Sequence, residues 1–160
     1  MSTRAEKSWV PMKVVYRLAE ELKNDPEQVA LAQALTQDKS RPAMGLKGTF
    51  GLFGSQEWWN NIEQGNMPLL KLSGIITRTY VAGQDESESV NAMELVLADG
   101  SIRPEGIYAN HADDKKLYRV GCKVEVVYAL DELKRQPGHD GNVNYSEIPL
   151  EMAVSLQAVR

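Results

Sequence analysis

The sequence predicts an α+β protein: an N-terminal helical hairpin followed by a C-terminal five-stranded OB-like β-barrel, a small Greek-key fold. Three observations predict it. Apolar residues recur at helical spacing before Asp38. From Leu69 onward they alternate, in β-branched runs parted by turn residues. Those later segments read strand, strand, strand, short helix, strand, strand, with a long glycine-bent first strand, which is OB connectivity. Two regions follow, residues 1–68 and residues 69–160.

The first helix is expected from about Pro11 to Lys23, since Val15, Leu18, Ala19 and Leu22 make one apolar stripe. Pro11 suits a first-turn position, where a missing N–H costs nothing. Asn24-Asp25-Pro26 ends that helix and starts the next: Asp25 is an N-cap, Pro26 the first helical residue, and Gln28 completes a capping-box-like start. The second helix, to about Gln37, contains no Lys or Arg, so the hairpin is a packing unit and not a DNA-reading helix-turn-helix. Gly45, Gly48, Gly51 and Gly54 then fall at every third place among Leu46, Phe50, Leu52 and Phe53. The stretch lacks the spacing of a phosphate-cradling loop and reads as a compliant linker whose aromatics plug a neighbouring surface. Ser55 to Gly65 is a short helix, capped at its start by Ser55 and stopped by Gly65. Trp58 and Ile62 share one face; Trp59 lies about 100° away, beside Glu63.

In the barrel, Leu70 to Val81 forms the first strand, bent at Gly74, and an acidic loop, Gln84 to Ser89, follows. Met93, Leu95 and Leu97 alternate up to Asp99-Gly100, a hairpin turn leading into Ile102 to Tyr108. Asn110 to Tyr118 is a short helix; Lys123 to Leu130 and Leu150 to Ala158 are the last strands, joined by a long polar loop, Asp131 to Glu147. The run LADGSIRPEGIYA with YRVGCKVEVVY resembles the hairpin, short helix and exit strand of small bacterial OB-like and SH3-like barrels. That resemblance implies a fold and no particular activity.

Composition narrows the function. The chain has 160 residues, 18 Lys+Arg against 22 Asp+Glu, and one cysteine. A chain of this length buries roughly 70% of its unfolded surface, so it requires no metal or disulfide staple. One cysteine removes any intramolecular disulfide and any cysteine-rich zinc site. No cofactor-binding or metal-ligating spacing occurs. No secretory h-region and no run of about 18 apolar residues is present, so the expectation is a cytoplasmic protein with no membrane span.

No catalytic constellation emerges. His111 and His139 lack a ligand at helical spacing, and Cys122 reads as a small buried hydrophobe. Asp85, Glu86 and Glu88, like Asp113 and Asp114, read as solvated acidic faces. The first expectation is therefore a non-catalytic module that binds another protein, as a regulator or inhibitor, through Phe53, Trp58 and Trp59. The alternative is single-stranded nucleic-acid binding on the barrel, through Arg78, Arg103, Tyr108, Lys115, Lys116 and Arg119. It ranks second because carboxylates crowd both loops that such a barrel would use.

Overall fold

A computed structural model describes residues 10–83, 90–134 and 144–160. The expected acidic loop (Gln84 to Ser89), its carboxylates and His139 lie outside the described residues. The elements in chain order are β1 (Met12–Arg17), α1 (Leu18–Asn24), α2 (Pro26–Gln37), α3 (Gln56–Glu63), β2 (Leu69–Tyr80), β3 (Ala92–Leu97) and β4 (Ile102–Gly106). A 3-10 turn (Ala112–Leu117), β5 (Cys122–Glu132) and β6 (Tyr145–Ala158) complete them.

The strands form one open antiparallel sheet of six, in the order β1-β6-β5-β2-β3-β4, and this corrects the expected five-stranded OB-like barrel. Closure would require the two end strands, β4 and β1, to pair, and they do not. The sixth strand comes from the segment expected to begin the first helix. Met12 to Arg17 runs antiparallel to β6, Lys13 opposite Val154 and Arg17 opposite Glu151. Its Val14-Val15-Tyr16 core is β-branched and aromatic, and a partner strand outweighs the weak helical stripe that Val15 shares with Leu18. The helix begins only at Leu18. Asn110 occupies part of the outer edge of β1: its amide N–H donates to Val15 O, and its side chain bonds both the N–H and the C=O of Arg17. The other end strand, β4, carries Pro104, which blunts an exposed edge because it offers no N–H.

Two compact units divide the chain. The first contains Met1–Arg17, Lys71–Val126 and Glu151–Arg160. Its core includes Val15, Ile76, Met93, Leu95, Cys122, Val124, Met152 and Val154. Gly74 is required by close approach: a Cβ there would lie 3.0 Å from both Leu95 Cβ and Val96 O. The β3–β4 hairpin turns at Asp99-Gly100, where Asp99 Oδ1 accepts from the backbone N–H and the hydroxyl of Ser101.

The second unit contains Leu18–Leu70 and Val127–Leu150, with a core of Leu18, Leu22, Phe53, Trp58, Met67, Tyr128 and Ala129. Asp25 caps α2 by accepting from Gln28 N–H at 3.4 Å, and Pro26 opens the helix. The glycine series is a run of turns and not a loose linker: all four glycines have φ between 76° and 97°. These turns lay the loop along α2, so closely that a Cβ on Gly45 would meet Leu35 Cγ at 2.7 Å. Gln33 donates to Phe53 O and Asn61 to Phe50 O, which satisfies loop carbonyls. Lys134, just beyond β5, donates from Nζ to Leu35 O, Asp38 O and Arg41 O at 2.6, 3.3 and 3.1 Å. It supplies the positive charge that the end of α2 lacks in its own sequence.

Candidate protein-binding site

Within the second unit, α3 is set by its two ends. Ser55 Oγ accepts from Trp58 N–H at 3.2 Å, and Gly65, at φ 76°, lets the chain leave the last turn. The helix turns Trp58 fully inward. Phe53, delivered by the glycine turns, meets Trp58 edge-on with ring centroids 4.9 Å apart. Trp59 also meets Trp58 edge-on, at 4.9 Å and 84°. Two edge-to-face contacts are the geometry that aromatic quadrupoles favour. The structure thus brings Phe53, Trp58 and Trp59 together, but presents them unequally. Phe53 and Trp58 are buried, while Trp59 is half-buried and retains an outer surface.

Beneath the trio sits a group that the sequence reading placed in a polar loop. Trp58 donates its indole N–H to Asp131 Oδ2 at 2.8 Å, and the Asp131 side chain is fully buried. Among the described residues its other oxygen has no hydrogen-bond partner. Burial pushes the carboxyl above its ordinary value, opposed by the Trp58 hydrogen bond and a contact from the Glu132 backbone. Strict alternation of β5 puts Val124, Val126, Tyr128 and Leu130 inward. The strand instead buries Tyr128 and Ala129 consecutively, so the phase slips by one and Asp131 turns in where Leu130 was expected. The signal available in the sequence was an indole needing an acceptor, with no distance to say which one.

The expected nucleic-acid residues all fall in the first unit, and several are already engaged. Arg78 pairs with Glu94 at 3.3 Å and lies 4.3 Å over the Tyr80 ring. Arg103 pairs with Glu105 at 2.6 Å, and Arg119 Nη2 donates to Leu156 O at 2.8 Å. Tyr108 packs on Tyr16 at 5.2 Å. Lys115 and Lys116 are exposed on the 3-10 turn, beside Asp113 and Asp114. Asp114 in turn holds Lys13 at 2.9 Å. By sequence count this unit has 12 basic and 11 acidic residues. The second unit has 6 basic and 11 acidic, so the negative charge belongs with the helices. Cys122 is fully buried on β5, and His111 is exposed where the 3-10 turn begins. Among the described residues no group of three or more His, Cys, Asp or Glu is placed to hold a metal ion. No helix among them is long and apolar enough to cross a membrane.

Fold and site together define a class first: a small antiparallel α+β protein that presents a braced aromatic side chain on a short helix. The family is narrower. Residues 12–155 match the family described as Immunity protein RhsI2, and the chain belongs to that family. The function that follows at this level is binding to another protein. Among curated proteins none matches the chain.

Proposed function

We propose that the chain binds a toxin and neutralises it stoichiometrically, without chemistry of its own, in the cytoplasm, and that Trp59 lies in the contact surface. The observation that carries this reading is the family match, which runs through nearly every described element from β1 into β6. Geometry supports the choice of surface. A half-exposed tryptophan held between a buried aromatic neighbour and a capped helix loses little freedom on binding, which is what a hot-spot residue requires.

The test is protection followed by direct binding. Cells producing the toxin should survive when this chain is co-produced. The purified chain and a catalytically inactivated toxin domain should elute as one 1:1 species from a sizing column. Survival without a complex at micromolar concentrations would reject neutralisation by binding. Complex formation unaltered by Trp59→Leu would move the contact surface elsewhere.

A further inference from the structure

We infer that the face of α3 bearing Trp59 and Glu63 receives an arginine side chain of the protein partner; this rests on the preceding reading that Trp59 lies in the contact surface. The face is defined by helical spacing. Gln56, Trp59, Asn60 and Glu63 recur at i, i+3, i+4 and i+7 and form one stripe. Gln56 and Asn60 satisfy each other, Nε2 to Oδ1 at 2.9 Å, so the stripe offers a partner the outer surface of the Trp59 ring and the Glu63 carboxylate. Trp59 is four residues before Glu63, the spacing that lets one planar cation cover an indole and reach a carboxylate.

Three observations say that the cation comes from outside. No Lys or Arg occurs from residue 48 to residue 70, so neither α3 nor its flanks carries one. Five carboxylates on strands are matched within the fold: Glu94, Glu105, Glu125, Glu132 and Glu151 each have Lys or Arg within 4 Å. Among the described residues, none of the helix carboxylates Glu20, Glu21, Glu27, Glu57 and Glu63 forms such a pair. Last, Glu63 ends α3, where the helix dipole disfavours an anion and no basic residue lies in the last turn. The end of α2 has the same lack and is repaired by Lys134. A locally unfavourable residue with no internal compensation is expected where function, not stability, selects it.

Arginine fits better than lysine. Its planar guanidinium stacks on an indole while its outer N–H groups pair with a carboxylate, whereas an ammonium satisfies one partner at a time. Trp59, fixed edge-to-face on Trp58, offers a surface of settled orientation for that stacking.

The experiment titrates the inactivated toxin domain, against which the chain protects cells, with wild type, Glu63→Gln, Trp59→Leu and the double variant. Titrations run at 50 and 300 mM salt, with circular dichroism and urea melts to confirm folding. Each single change should weaken binding by about tenfold, with the double variant well short of a hundredfold, because one guanidinium contacts both groups. Glu63→Gln should also flatten the salt dependence. Wild-type affinity in Glu63→Gln, or an unchanged salt slope, overturns the arginine contact and leaves neutralisation intact. Failure of wild type itself to bind the toxin overturns the underlying reading, and this inference with it.

Discussion

Replacing Trp58 with phenylalanine separates the two things that hold α3 in place. The substitution keeps an aromatic ring in contact with Phe53 and Trp59 but removes the indole N–H that reaches Asp131 Oδ2 at 2.8 Å. Asp131 is fully buried and its other oxygen already lacks a hydrogen bond among the described residues, so the change strips the carboxylate of its side-chain donor. Losing a buried hydrogen bond to an ionisable group costs about 1.5–3 kcal/mol, and the missing ring atoms add about 1–2 kcal/mol. The expected sum, about 2.5–5 kcal/mol, is a large share of the roughly 5–15 kcal/mol that a domain possesses. Urea denaturation followed by far-ultraviolet circular dichroism measures it.

The diagnostic variant is Trp58→Phe with Asp131→Leu. If the penalty comes from a stranded carboxylate, removing that carboxylate should restore about 1–3 kcal/mol. If it comes from lost packing alone, the second change restores nothing. A cost below about 1 kcal/mol for Trp58→Phe, or no recovery in the double variant, would refute the account of this pair.

Other outcomes follow from the same structure. Burial raises the Asp131 carboxyl above its ordinary 3.8, so the folded state holds that proton more tightly than the unfolded chain. The contribution of Asp131 is therefore full below pH 3.8 and is lost as pH climbs through the folded value. Urea melts should show that decline in wild type relative to Asp131→Asn, and parallel profiles would contradict it. Lys134→Met removes one donor from three carbonyls and should cost about 1–3 kcal/mol, with faster amide exchange in the last turn of α2. Gly45→Ala must adopt φ 90° against the Leu35 side chain, whereas Gly65→Ala at φ 76° has nothing within 4 Å. Thermal melts should show the first losing about 2–4 kcal/mol and the second about 1–2. Asn110→Ala should speed hydrogen exchange at Arg17, whose N–H it accepts at 2.8 Å.

Some of this was written locally. The Asp25 and Ser55 caps and the turns at Gly65 and Asp99-Gly100 each depend on neighbours in sequence and stand where such signals put them, and alternation located β2 to β6 but not the ends of β5 and β6 or the phase of β5. The aromatic trio was legible in part. Helical spacing separated an inward Trp58 from an outer Trp59, but nothing local showed that Phe53 would be brought against Trp58 after a series of glycine turns at positive φ.

Tertiary structure decided the rest, because it turned on partners far away in the chain. Met12 to Arg17 has enough apolar character for either a strand or a helix, and only its pairing with Glu151 to Ser155 makes it a strand. That same pairing is why the sheet ends in β1 at one side and β4 at the other and is not an OB-like barrel. Asp131 looked like a loop carboxylate until a one-residue slip in β5 turned it under Trp58, 73 residues earlier. Charge was redistributed in the same way. Counted along the chain, residues 1–68 are neutral and residues 69–160 hold all four net negative charges. Counted by compact unit, the helix-bearing one holds 11 acidic against 6 basic residues. Composition alone set the amount of acidity; folding decided which compact unit holds it, since spatial neighbours and not sequence neighbours determine the field that a partner meets.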